Sequence, residues 1–166
     1  MPDYSQIDRD NLQAFVFYPQ KTVSPCPIYA FDVAVPVLED VSVACRYFQG
    51  DTSWPWIIFF NGNGEVAGDY DELAPFYFRI RRNLVVADYR GYGASTGEPS
   101  FAGVIHDSHI IFKEVKRELH ARQLNETLWI MGRSLGSMSA LELASRYGDQ
   151  IRGIIIESGF ISVATI

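Results

Sequence analysis

The sequence has few cysteines, no excess of basic charge and no long apolar run. Its two cysteines, Cys26 and Cys45, are too few for a disulfide framework and lack metal-site spacing. A reduced compartment is the simpler reading. Lysine and arginine number 14 against 20 acidic residues, for a net charge of −6 and a pI near 5.0. That excludes the basic face a nucleic-acid footprint needs, so no nucleic-acid partner is expected. The longest strongly apolar run, near Trp56 to Phe60, falls far short of the ~20 residues of a spanning helix. The first ten residues, MPDYSQIDRD, are polar and net acidic, unlike a secretory signal. The chain is therefore expected to be cytoplasmic, with no membrane span. No internal repeat or low-complexity tract is present. Histidine is also scarce: there are three, His106, His109 and His120.

What is present is globular. Of 166 residues, 48% are apolar and 14% aromatic. A chain of this length forms one domain and can bury about 70% of its unfolded surface. Three prolines between residues 15 and 27 mark residues 1–27 as an irregular lead-in to a domain over 28–166. Residues 31–38 and 41–48 alternate apolar and polar, which predicts two strands in an antiparallel hairpin. After Trp54 the pattern changes to continuous apolar runs at 56–60, 84–87, 128–131 and 154–156. Such runs suit parallel strands covered on both faces. Helical periodicity fills the gaps at 69–80, 100–121 and 137–147. The expected fold is α/β: a mostly parallel sheet of about six strands with an antiparallel amino-terminal hairpin and helices on both faces. Chemistry in such a sheet sits at the carboxyl ends of the strands, where this chain places its glycine clusters.

The strongest motif is Gly132-Arg133-Ser134-Leu135-Gly136, a G-x-S-x-G between an apolar strand and a helix. That context is what a nucleophile elbow requires. Glycine at both ends answers a turn too tight for side chains, and the turn projects the Ser134 hydroxyl. The competing reading is a βα turn whose serine only caps the helix. Asn61-Gly62-Asn63-Gly64 ends the first buried strand, where a loop N–H can meet an oxyanion. The candidate donors are the N–H of Leu135, after the nucleophile, and that of Asn63. The competing reading of the loop is an ordinary Asn-Gly turn. Between the two lies Asp88-Tyr89-Arg90-Gly91-Tyr92-Gly93-Ala94-Ser95-Thr96-Gly97-Glu98-Pro99. Its glycine spacing is not the dinucleotide fingerprint, and Glu98-Pro99 separates it from the next helix.

Together NGNG, DYRGYGASTGEP and GRSLGS, in that order, resemble the α/β-hydrolase superfamily. The likeness is to its prolyl-oligopeptidase-like and acyl-protein-thioesterase-like branch, over roughly residues 28–160. The resemblance implies serine esterase, thioesterase or peptidase chemistry on a small-molecule or acyl substrate, with no metal or organic cofactor. It makes Ser134 the nucleophile and the N–H groups of Leu135 and Asn63 the oxyanion hole. Asn61 departs from the family, which more often has histidine there. The family order is serine, acid, histidine, yet no histidine follows Ser134. His106, His109 and His120 fall on the helix after DYRGYG. His106 and His109 share a helical face, as a metal pair would, but an exposed face explains them equally. The expectation is an amino-terminal part of an α/β-hydrolase fold, incomplete at the carboxyl end, with base and acid beyond residue 166. Glu157, ending the last strand, is a weaker candidate for the acid. The strand at 154–156 would then be an apolar sheet edge inclined to self-association. Tyr89, Tyr92 and Phe160 could line an acyl pocket or simply pack a core. The alternative function is a catalytically inactive binding module on the same fold.

Overall fold

The computed structural model describes residues 16–159. Residues 17–28 hold no helix or strand. Strands β1 (Ala30–Leu38) and β2 (Val41–Phe48) pair antiparallel, with Phe31 opposite Tyr47 and Val35 opposite Val43. Alternation sends Val35, Val37, Val43, Cys45 and Tyr47 into one core. Arg46 points to the opposite face and is satisfied by Asp32 at 2.7 Å and Asp71 at 2.8 Å. That pair of bonds ties the hairpin to the turn before the first helix.

The four apolar runs form β3 (Trp56–Phe60), β4 (Asn83–Ala87), β5 (Leu128–Arg133) and β6 (Gly153–Glu157). They are mutually parallel, and among the described residues the sheet order is β1-β2-β4-β3-β5-β6. Helices α1 (Ala74–Arg79), α2 (Phe101–Ala121) and α3 (Gly136–Tyr147) cover the sheet from two sides. On one face Ile111, Phe112, Val115 and Leu119 of α2 and Ala140 and Leu143 of α3 meet Trp56, Ile58 and Phe60. On the other a 3₁₀ turn, Ala67–Tyr70, and α1 meet Ile57 and Phe59. Successive residues of β3 thus feed opposite cores, which is why its run is unbroken. Each such side chain contributes roughly 1.5–3 kcal/mol by leaving water.

Two expectations are corrected. The helical pattern over 69–80 is divided into the 3₁₀ turn and α1, with a turn between them. Pro75 lacks an N–H and its ring would clash with the carbonyl four residues earlier, so a helix can begin at Ala74 but cannot run through. The run over 154–156 is not covered on both faces, and lies instead at the apolar sheet edge also expected of it. Ile154, Ile155 and Ile156 are 38%, 38% and 39% exposed, and β6 is the sheet edge among the described residues. α3 packs against β6 from one side, and no described element covers the other.

Chain direction across the sheet positions the site. The chain leaves β3 for β4 on one side and returns past β3 to β5 on the other. The carboxyl ends of these strands therefore border the crevice at which such sheets bind ligands. Phe60 is level with Ala87 of β4 and with Gly132 of β5, so the loops after all three strands begin at one height.

Candidate active site

Ser134 follows β5 with φ of +48°, the left-handed region that a non-glycine residue rarely adopts. The turn is forced by contact on both flanks. A Cβ on Gly132 would lie 2.4 Å from the carbonyl oxygen of Gly136, and one on Gly136 would lie 1.9 Å from that of Phe60. Only glycine lets α3 start this close to β3. The Ser134 N–H donates to the Glu157 carbonyl at 2.9 Å, and its own carbonyl accepts from the Ser137 hydroxyl at 2.6 Å. The N-cap of α3 is Leu135 and has no side-chain cap bond, so Ser134 does not cap the helix. Among the described residues the Ser134 hydroxyl has no hydrogen-bond partner, and the side chain is half-buried.

The Asn61–Gly64 loop is fixed by the segment that sequence reasoning left as pocket or packing. The Tyr89 hydroxyl donates to the Asn61 carbonyl at 2.6 Å, and the Tyr92 hydroxyl donates to Asn63 Oδ1 at 2.6 Å. Burial pushes the Tyr92 phenol up to about 12 and raises Tyr89 well above its usual value, so both remain donors at neutral pH. The Asn63 side-chain Nδ2 donates to the Val16 carbonyl. Both rings sit in a cluster with Phe17, Val66, Phe101, Val104 and Leu135. Leu135 thus anchors the elbow in the same packing that supports the loop. Among the described residues neither the Leu135 N–H nor the Asn63 N–H has an acceptor. The DYRGYG motif was legible, but not that its two tyrosines hold both ends of the neighbouring loop. Phe160 lies outside the described residues.

Asn61, where the family more often has histidine, is fully buried, and both ends of its side-chain amide lack partners among the described residues. Asp88, immediately after β4, accepts the Ala67 N–H at 2.7 Å, yet burial pushes its carboxyl up to about 7.

Arg133 joins the loop to the elbow and to β6. Its guanidinium donates to Glu65 and to the Tyr70 hydroxyl, each at 3.1 Å, and to Glu157 at 3.0 Å. Burial opposes its charge, but the bonds to Glu157 and Glu65 outweigh that and raise its pKa. Burial alone would raise the Glu65 carboxyl; bonds from Tyr70, Gly62 and Arg133 prevail and lower it. Register puts Arg133 opposite Glu157, so the contact follows from strand pairing. One oxygen of the Glu157 carboxylate takes part in this ion pair.

The structure does not bring the histidines to Ser134. His109 packs between Glu142, at 3.2 Å, and the Tyr147 hydroxyl, at 3.2 Å. Tyr147 ends α3, roughly 16 Å of helix from the elbow. His106 lies against Asp107 at 3.1 Å and His120 against Glu126 at 2.8 Å. Among the described residues no group of three histidine, cysteine, aspartate or glutamate side chains is placed to hold a metal ion. No described helix is long and apolar enough to cross a membrane.

The sheet order, the left-handed serine between two glycines and the loop beside it define an α/β-hydrolase fold. The chain belongs to the serine aminopeptidase S33 family of hydrolases, whose family model matches residues 55–166. It is 31% identical over 116 residues to protein bem46 of Schizosaccharomyces pombe, covering 69% of this chain and 38% of that protein. It is 32% identical over 117 residues to the lysophosphatidylserine lipase ABHD12 of Xenopus tropicalis, covering 68% and 29%. The chain therefore spans well under half the length of these curated relatives. The structure of the Pyrococcus furiosus esterase Pf2001 matches with a TM-score of 0.69 at 19% identity, covering 88% of this chain and 59% of that one.

Proposed function

We propose that the protein is a serine hydrolase that cleaves an ester, thioester or peptide bond through an acyl-enzyme on Ser134. The observation that carries this reading is the left-handed backbone at Ser134, held between glycines that admit no Cβ. A strained conformation maintained by its surroundings marks a site whose side chain must point outward. In this reading Ser134 Oγ bonds to the substrate carbonyl carbon while its proton passes to a general base. The oxyanion rests on the N–H groups of Leu135 and Asn63. The alcohol, thiol or amine then leaves with that proton, and water releases the acyl group. The base and the acid that orients it lie outside the described residues. Glu157 is spoken for by Arg133, which favours an anchoring role over that of the acid. The chemistry calls for no metal or organic cofactor.

The lipase relative supports an acyl substrate. The NGNG loop and DYRGYG segment support the prolyl-oligopeptidase-like and thioesterase-like branch. A cytoplasmic location belongs to the same reading, supported by two unpaired cysteines, one exposed and one buried. A second reading, a binding module without turnover, is favoured by one observation: no described histidine reaches Ser134.

The test is to incubate the chain with an activated acyl ester and read intact mass. Without a base, deacylation is slow and the acyl-enzyme accumulates. One acyl adduct, absent from Ser134→Ala, is the expected result. Ligand binding with no adduct would establish the binding module instead.

A further inference from the structure

Resting on the reading of Ser134 and Asn63 above, we propose that Arg133 is a positioning residue that locks the oxyanion loop in register with the nucleophile elbow. Arg133 occupies the free position of the G-x-S-x-G turn, immediately before Ser134. Nothing in the turn's own geometry calls for arginine there. One guanidinium nonetheless spans three strand ends: its own on β5, Glu157 on β6, and Glu65 beyond β3.

Glu65 transmits the hold. One of its oxygens takes Arg133, and the other accepts the Gly62 N–H at 2.8 Å and the Tyr70 hydroxyl at 2.7 Å. The Asn61–Gly62 peptide is thus gripped at both ends, its carbonyl by Tyr89 and its N–H by Glu65. The next peptide carries the Asn63 N–H. Its direction follows from the gripped peptide on one side and the Tyr92-bound Asn63 side chain on the other. Removing Arg133 leaves Glu65 with neutral donors only, in a half-buried place where an unpaired carboxylate is unfavourable. Glu65 would then turn to water and release Gly62. Arginine suits the task because its planar fork engages two carboxylates at once, whereas lysine, a point charge, serves one. The same guanidinium lies 5.5 Å from the centre of the Phe59 ring, so a purely structural role as a cover over the sheet is the competing account.

The experiment is residue-resolved amide hydrogen exchange on the whole chain, with fluorophosphonate labelling of Ser134 in imidazole buffer as a second readout. Arg133→Met is expected to exchange the Gly62 amide about tenfold faster, the loss of one charge-assisted hydrogen bond. Amides of β4 and β5 are expected to stay as in the parent, and Ser134 labelling to slow by a similar factor. Arg133→Lys should recover part of both effects. Glu65→Gln keeps an acceptor for Gly62 but loses the charge, and should reproduce the local change if Arg133→Met does not fold. An unchanged Gly62 amide, or equal acceleration of every amide, overturns the proposal in favour of the structural role. If the parent is not labelled at all, the nucleophile reading fails, and the Gly62 amide alone decides whether Arg133 holds the loop.

Discussion

Ile58 in β3 is wholly buried and Ile155 in β6 is 38% exposed, although each is the middle of an unbroken apolar run on a parallel strand. The difference lies in neighbours. β3 has a strand on each side and a helical layer on each face. β6 has β5 on one side and α3 on one face. An apolar run states that a strand is to be covered; it does not state by what. Both strands nonetheless serve the site. β3 delivers the Asn61–Gly64 loop from a rigid core, while β6 delivers a backbone carbonyl to Ser134 and a carboxylate to Arg133 from an open edge.

The harshest way to break the β3 side is Gly136→Ala. Its methyl would sit 1.9 Å from the Phe60 carbonyl oxygen, so α3 must move off β3. Urea unfolding should show a loss of at least about 3 kcal/mol. A cost under about 1 kcal/mol would mean the elbow is not this tight. The comparison itself is sharpened by a matched pair. Ile58→Ala, in the covered strand, should cost ~2–5 kcal/mol, and Ile155→Ala below ~1.5 kcal/mol. Equal losses would show that the outer face of β6 is covered in solution. Were a second copy of the chain that cover, since an apolar edge invites pairing, Ile155→Lys would move the protein to a smaller species on a sizing column.

A smaller effect belongs to the end of β4. Burial raises the Asp88 carboxyl from its ordinary value to about 7. The folded protein therefore holds this proton more tightly than the unfolded chain. The stability this contributes is complete below about pH 4 and is lost as pH rises toward 7. Asp88→Asn, which mimics the neutral acid and keeps an acceptor for Ala67, should flatten that part of the profile. The difference from the parent at pH 8 should be of the order of 4 kcal/mol. Parallel curves for the two proteins from pH 4 to 8 would contradict this account.

How much of this was legible in the sequence depended on whether the signal was local. The hairpin, the parallel strands and α2 declared themselves because periodicity and turn residues are properties of neighbours in the chain. The elbow was legible for the same reason: its glycines and serine lie within five residues. The break within 69–80 follows from Pro75, a single residue that the apolar periodicity of the segment does not register. Tyr89 and Tyr92 were read as pocket or packing because their partners, Asn61 and Asn63, lie a strand and a helix earlier. Arg133 had no role assigned from the sequence, since its two carboxylates come from the end of β6 and from the loop after β3. Long-range polar pairing carries no periodicity, so only the fold reveals it. What covers β6 was equally illegible, because it is a property of neighbours and not of the run.

The most direct test of the central claim, that the elbow and its loop form a working nucleophile site whose base is supplied from elsewhere, is imidazole rescue. Fluorophosphonate labelling is followed by intact mass in the parent chain and in Ser134→Ala, across a range of imidazole concentrations. The expected result is one adduct on Ser134 whose rate climbs with imidazole, because a free base then stands in for the one the described residues do not provide. No adduct at any imidazole concentration, or an adduct that survives Ser134→Ala, would contradict it.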